Sequence, residues 1–319
     1  MELRRLRYFV CIVDAGSLTK ASERLHIAQP ALSVQMGKLE TELGVELLVR
    51  APRGVTPTEE GKTLYRHAQI LLKMVSDSRD VVRRDRHAAA GRVRLGLPAF
   101  VSGLVAGPLI KLVRERCPAI SLEIHEHLGM KQMLQLQTEE VDISLVTDTG
   151  ETDASIHLEP VMTEPMVFMR ARRAGAPLLP ARMPLVDVVE HPLVMPIQAG
   201  YRVKLEKALA PFGRVPTIVA EAKAAPIIAD LVASGVGNTL MPHSNIRGHS
   251  RLDELEFCAV EPAIHRTLSI GYTSVYPMTR AARVVCDTLR ELLREQVESG
   301  EWIGGRMIEP APAEALPVA

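Results

Sequence analysis

The stretch that decides the fold runs Leu25-His26-Ile27-Ala28-Gln29-Pro30-Ala31-Leu32-Ser33-Val34-Gln35-Met36-Gly37-Lys38-Leu39-Glu40-Thr41-Glu42-Leu43-Gly44. Proline in a first turn loses no hydrogen bond, so Gln29-Pro30 can open a helix. Glycine after Leu43 is the residue type that ends one. Between them Leu32, Met36, Leu39 and Leu43 are spaced by four, three and four, which predicts one buried stripe. The opposite face carries Pro30, Ser33, Val34, Gly37 and Lys38, with Gln29 at its leading end. That face is small and polar, and it fits a groove about 12 Å wide.

Upstream, Leu3, Leu6, Phe9, Val10 and Val13 recur at helical spacing, which predicts a helix over 3–14 ended by Asp14-Ala15-Gly16. Ser17 is a good N-cap for a second short helix that turns Leu18, Ala21 and Leu25 inward. Three short helices with a tight connection at His26-Ile27 before the last make a helix-turn-helix. A small helical bundle with no DNA role has the same periodicity. Downstream, the apolar runs 45–50 and 55–56 flank Ala51-Pro52-Arg53-Gly54, which reads as a hairpin. Arg50 and Arg53 lie at or beside its turn. They could reach phosphate or a minor groove, or simply occupy a solvated turn.

Charge is distributed to match. Over the whole chain it cancels, with 38 basic and 38 acidic residues. Residues 1–94 hold 17 Lys+Arg against 11 Asp+Glu, a net of +6, and residues 95–319 hold 21 against 27, a net of −6. A basic head on an acidic body suggests that the head meets a polyanion. The four cysteines, Cys11, Cys117, Cys258 and Cys286, form no CxxC pair, which argues against a metal knuckle or a disulfide framework. No run is long and apolar enough to span a bilayer and the start does not read as a signal peptide, so the expectation is a cytoplasmic protein.

Several dispersed words now occur in order: Leu6-Arg7-Tyr8-Phe9; Gly16-Ser17-Leu18-Thr19-Lys20-Ala21-Ser22; Leu25 to Ser33; Leu39-Glu40-Thr41-Glu42-Leu43-Gly44; and Arg53-Gly54-Val55-Thr56-Pro57-Thr58-Glu59-Glu60-Gly61. Together they resemble the LysR-type transcriptional regulators over about the first 66 residues, and most resemble the nitrogen assimilation control branch. The resemblance implies a winged helix-turn-helix that binds double-stranded DNA. It places Gln29, Pro30, Ser33 and Val34 toward the major groove and the wing arginines toward the backbone. One departure stands out. Many family members carry Arg or Gln where Val34 stands. Valine makes no bidentate base contact but can pack on a thymine methyl, so readout would lean on Gln29, apolar contact and DNA shape.

Thr56-Pro57-Thr58-Glu59 reads as a capping-box helix start with Pro at the first helical position. From there Leu64, Ala68, Leu71, Val75, Ser78 and Val82 alternate spacings of four and three, a seam with only Ser78 polar. Pairing with a second copy is the simplest way to bury it. Packing on the chain's own second domain is the alternative.

From Arg92 the pattern changes to alternating strands and helices. Strands are expected at 93–97, 120–127 and 141–146, with helices at 104–116 and 130–138. Strand-like runs follow at 157–160 and 166–170. A second set has strands at 193–197, 217–220 and 238–241 and helices at 203–211 and 226–234. Strands near 256–260 and 267–272 and a helix at 280–297 complete the α/β body. Two such lobes leave a cleft at the carboxyl ends of their strands. The family resemblance implies the same two-lobed, periplasmic-binding-protein-like effector domain. The expected organisation is a DNA-binding domain at 1–57, a dimerising linker helix at 58–88, lobe one at 92–161 and 267–298, lobe two at 162–266, and a disordered tail at 299–319.

Strand ends nominate cleft residues: Pro98, Phe100, Ser102 and Thr147 in lobe one, and Gln198, Tyr201, Arg202 and Met241 in lobe two. Ser102 and Gln198 could hydrogen-bond a carboxylate or amide, Arg202 could add charge, and nearby helix N-termini favour an anion. Ordinary loop residues would look the same. His125 and His127 share a strand face but lack a third ligand, so no metal or cofactor is expected. Gly235-Val236-Gly237 is half a phosphate loop and reads as a helix stop. No P-loop, HExxH or nucleophile elbow appears. The partners expected are DNA, further copies of the chain (a dimer, and a tetramer from it), RNA polymerase and a small-molecule effector, with no membrane. A DNA-binding regulator without an effector, and an α/β enzyme with a helical dimerisation module, are the competing functions.

Overall fold

The computed structural model describes residues 2–51, 54–83, 89–127, 131–147, 153–173, 175, 177–197, 200–275 and 277–309. The chain divides into two compact units, residues 1–88 and 89–319.

The first unit opens with helices α1 (Leu3–Ala15), α2 (Leu18–Leu25) and α3 (Gln29–Leu43) and a hairpin of β1 (Leu48–Ala51) and β2 (Gly54–Pro57). Local chemistry explains the breaks. Ser17 accepts a hydrogen bond from the Lys20 N–H and caps α2. Gly44 takes the left-handed conformation and closes α3. Phe9, Ile12, Leu18, Ala21, Leu32, Met36, Leu39, Leu47, Leu48 and Val55 make one core. Leu43, expected in the stripe, is exposed. Glu40 fixes that end instead: its carboxylate accepts from the Leu47 N–H at 2.9 Å and the Leu48 N–H at 3.3 Å.

Helix α4 (Glu59–Arg83) follows. Pro57 lies in β2 rather than in the helix, because its residue pairs with Leu48 across the hairpin. Thr58 is the cap: its hydroxyl accepts from the Gly61 N–H at 2.9 Å and donates to the Glu46 carbonyl at 2.8 Å. The Thr58 N–H also donates to the Leu47 carbonyl at 3.0 Å. A Cβ on Gly61 would drive into that same Leu47 carbonyl oxygen. The start of α4 is thus stitched onto residues 46–47. This corrects part of the expected dimer seam. Ala68 is fully buried within the chain and Leu64 packs on the core beside Tyr65, so the first half of the seam is covered at home. Leu71 and Met74 are exposed and Val75 is half-buried; the side chain of Val82 lies outside the described residues.

The second unit runs β3 (Gly91–Pro98), α5 (Ala99–Arg116), β4 (Ile120–His127), α6 (Lys131–Gln137), β5 (Ile143–Thr147), β6 (Ile156–Ala171), β7 (Arg182–Pro184), β8 (Leu193–Pro196), α7 (Gly200–Leu209), β9 (Ile218–Ala222), α8 (Ala225–Ala233), β10 (Thr239–Pro242), β11 (Leu255–Glu261), β12 (His265–Thr273), α9 (Arg280–Glu298) and β13 (Arg306–Met307). In the first lobe β4, β3 and β5 are parallel, and β12 joins β5 antiparallel. Helices α5 and α9 cover the sheet, with Val101, Val105, Leu109, Val285, Leu289 and Leu293 in the core. In the second lobe β8 and β9 are parallel and β10, β6 and β11 are antiparallel.

The two runs expected at 157–160 and 166–170 are one sixteen-residue strand, β6, which passes from lobe one into lobe two. Pro160 and Pro165 interrupt its sequence pattern but not its path. Strand β12 returns beside it, and the Met166 N–H donates to the Ile264 carbonyl at 2.8 Å where the second lobe leaves and rejoins the first.

The expected disorder of 299–319 is corrected for its first part. Residues 300–309 fold back, Trp302 is buried in the lobe-one core, and β13 pairs with β6 at Thr163 and Met162. The only tryptophan of the chain supplies enough apolar surface to hold this segment. Residues 310–319 lie outside the described residues. Among the described residues no helix is long and apolar enough to cross a membrane.

Candidate nucleic-acid interface and effector cleft

The outer face of α3 is open. Gln29, Pro30, Ala31 and Lys38 are exposed, Ser33 is half-buried, and Val34 is 55% exposed while Leu32, Met36 and Leu39 on the other side are at most 1% exposed. Among the described residues nothing lies within 4 Å of where a Gly37 side chain would start. The N-cap residue Ala28 offers no side-chain acceptor to the first turn. Those N–H groups and the positive end of the helix dipole suit a phosphate. Arg4, Arg7, Lys20 and Arg24 are exposed in the same unit. The wing hangs on a close backbone approach: the Val55 N–H donates to the Gly16 carbonyl at 2.8 Å, and Gly54, at φ +138°, leaves no room there for a Cβ. Arg50 stands in β1 with its side chain outside the described residues, and Arg53 lies outside them altogether.

In the second unit the register places the carboxyl ends of the two lobes' strands at opposite ends of the crossing stretch of β6, opposite Met162 and Met166. Thr147 at the end of β5 pairs with Leu268, and Pro242 at the end of β10 pairs with Met166. The nominated residues divide around that stretch. Phe100 lies under the Arg266 guanidinium, 3.7 Å from its ring centre. Ser102 donates to the Glu126 carboxylate, with the Ala99 carbonyl 3.0 Å away. Thr147 is half-buried. Pro98 is buried and Met241 is wholly enclosed in the lobe-two core, so neither offers a ligand open surface. Arg202 is exposed and paired with Glu206 and Glu221, at 2.8 and 3.3 Å. Gln198 and the Tyr201 side chain lie outside the described residues.

The residues that sequence reading missed sit between these strand ends, on the crossing strands. Glu164 on β6 and Arg266 on β12 are register partners and form an ion pair, 1% and 2% exposed. Ser244 and Asn245 join it from the turn after β10. Their separations in the chain leave no local signal. His243 beside them is pushed below the usual histidine range by burial first and by Arg247 second. Among the described residues no group of three His, Cys, Asp or Glu is placed to hold a metal, and His125 pairs with Glu123 at 3.0 Å.

Burial pushes the Cys286 thiol up to about 12 and raises Cys258 as well. Both stay protonated at pH 8, and the thiolate is the reactive form. Native alkylation at pH 8 followed by mass spectrometry should therefore leave Cys286 and Cys258 unlabelled until denaturant is added. Labelling of Cys286 in the folded protein would contradict the packing.

Comparison with known proteins gives a consistent picture. Residues 3–62 match the family described as bacterial regulatory helix-turn-helix protein, lysR family, and residues 86–294 match the LysR substrate binding domain. The nitrogen assimilation regulatory protein Nac of Klebsiella aerogenes is 31% identical over 305 residues, 94% of this chain and 98% of its own. The regulator BenM of Acinetobacter baylyi is 32% identical over 259 residues, 76% of this chain and 81% of its own. A full-length OxyR of Pseudomonas aeruginosa, solved as a cysteine-to-aspartate variant, superimposes with a TM-score of 0.74 at 25% identity, covering 91% of this chain and 95% of that one.

Proposed function

As this chain belongs to the LysR family of bacterial transcriptional regulators, we propose that two copies bind one operator through the outer faces of α3, and that a small anionic metabolite in the cleft alters DNA bending and transcription. The observation that carries the DNA part is the exposed Gln29–Lys38 side of α3 opposite a sealed core stripe. Gln29 and Val34 read bases, Pro30 and Ser33 fit the groove, and Lys38, Arg50 and Arg53 hold phosphate. Leu71, Val75 and Val82 make the part of the α4 seam that a second copy covers, a dimer that can pair again into a tetramer. RNA polymerase is the machinery that such a bend affects, and the cytoplasm is the compartment. For an effector, the uncapped start of α5 supports an anion, with Phe100, Ser102 and Thr147 of lobe one and Gln198, Tyr201 and Arg202 of lobe two as its proposed contacts. Pro98 and Met241 act only as the packing behind those residues.

Genome-wide capture of bound DNA tests the reading and supplies the operator. On that DNA, Arg53→Ala should weaken binding at every sequence and lower the salt slope by about 1. An unchanged slope would remove the wing from the interface. A second reading, DNA binding with no small-molecule effector, is favoured by the Phe100–Arg266 stack, which engages a nominated cleft residue within the chain itself. A footprint that keeps its length across a panel of small carboxylates would support it.

A further inference from the structure

The Glu164–Arg266 pair is more than a buried ion pair between neighbouring strands. It sits where β6 leaves lobe one and β12 comes back, at a level where the two crossing strands are register partners. The Glu164 carboxylate accepts from Arg266 Nε at 2.9 Å and from its Nη2, and its other oxygen accepts from Trp302 Nε1 at 2.9 Å. Arg266 donates at 2.9 Å to both the Asn245 side-chain oxygen and the Ser244 hydroxyl, which belong to lobe two. Its other face lies on Phe100, which belongs to lobe one. Trp302 is rooted in the lobe-one core, and the segment after it runs beside β6 as β13, with the Ile308 N–H donating to the Val161 carbonyl at 2.9 Å.

We propose that Glu164, Arg266 and Trp302 form a latch that selects one angle between the lobes, with the C-terminal segment as its bolt. Desolvating two charges makes such a pair a poor source of net stability. Its donors and acceptors instead point in fixed directions from separate chain segments, so they are met together in one lobe arrangement and not in a rotated one. A signal that changes the arrangement must break this set. The latch rests on the proposed effector-domain role for its purpose, but its geometry stands without it.

The test is hydrogen exchange on the full-length protein, with no DNA or metabolite, in Glu164→Gln and Trp302→Phe. The first keeps the shape and removes the charge. The second keeps an aromatic ring and removes the donor. The latch predicts exchange at least about tenfold faster at residues 162–166, 243–246 and 264–268 in both variants, with the interiors of β3 and β8 unchanged. It also predicts a changed radius of gyration in solution scattering. If exchange at these segments stays within about twofold of the parent, or rises equally inside β3 and β8, the residues only pack and the latch is wrong. The double variant Glu164→Gln/Arg266→Met, which strands no charge, should keep the parent's melting temperature yet show the same faster exchange. Slow exchange in that variant overturns the proposal even if a single variant fails to fold. Loss of DNA binding would not register here, so failure of the latch and failure of the regulator reading are separable.

Discussion

Val34→Glu is expected to lower affinity for captured operator DNA by about 100-fold or more, because a carboxylate would face the phosphates and base edges of the groove and like charges brought together there cost several kcal/mol. The folded protein should barely notice. Val34 is 55% exposed, and surface substitutions of this kind usually change stability by about 0.5 kcal/mol or less. Val34→Arg is the control. It adds a cation at the same point, so it should tighten binding to unrelated duplexes and steepen the salt dependence by about 1. Fluorescence anisotropy at two salt concentrations, with circular dichroism melts alongside, reads both variants. Equal binding by the parent and Val34→Glu would take α3 out of the groove.

The second large effect is on stability. Gly61→Ala is conservative in a helix by composition alone, where alanine is the better former by about 1 kcal/mol. Here the sign reverses. The new methyl would collide with the Leu47 backbone oxygen, which the Thr58 N–H also uses, and a backbone atom cannot swing aside. Helix α4 must lift from residues 46–47, breaking the Thr58 cap and uncovering Leu47 and Ala68. Overpacking of this kind costs about 3 kcal/mol, and the lifted helix would carry the wing with it. Denaturant melts of the full chain should show the N-terminal unit unfolding earlier, with the unit at 89–319 unmoved. A coincident, unshifted transition would show that α4 does not depend on this seat.

Features determined by neighbours in sequence were legible. Ser17, the Gln29-Pro30 start and Gly44 act over one helical turn, and the structure has them as caps and ends. The family's words near Gly61 were legible as words, but their reason is a contact with Leu47 that no periodicity contains. Two kinds of feature were misread. Leu64 and Ala68 carry the spacing of a seam between chains, yet spacing says only that a face is apolar, and α1 was available to cover it. Pro160 and Pro165 broke the strand signal of β6, although proline is tolerated where its missing N–H faces no partner. The Glu164–Arg266 pair spans 102 residues and was invisible for that reason. The cleft residues were reached only through strand ends, which explains why Met241, one step inside its strand, was named although its side chain turns into the core.

The place where Met166 meets Ile264 has a consequence for engineering. The second lobe is a continuous stretch whose two ends are hydrogen-bonded neighbours, so to the first lobe it is a single insertion at one point. Such a module can be exchanged for the equivalent stretch of a relative by cutting at that seam, leaving the first lobe's sheet and its covering helices intact. A chimera built there would carry the donor's half of the sensor on the recipient's promoter specificity.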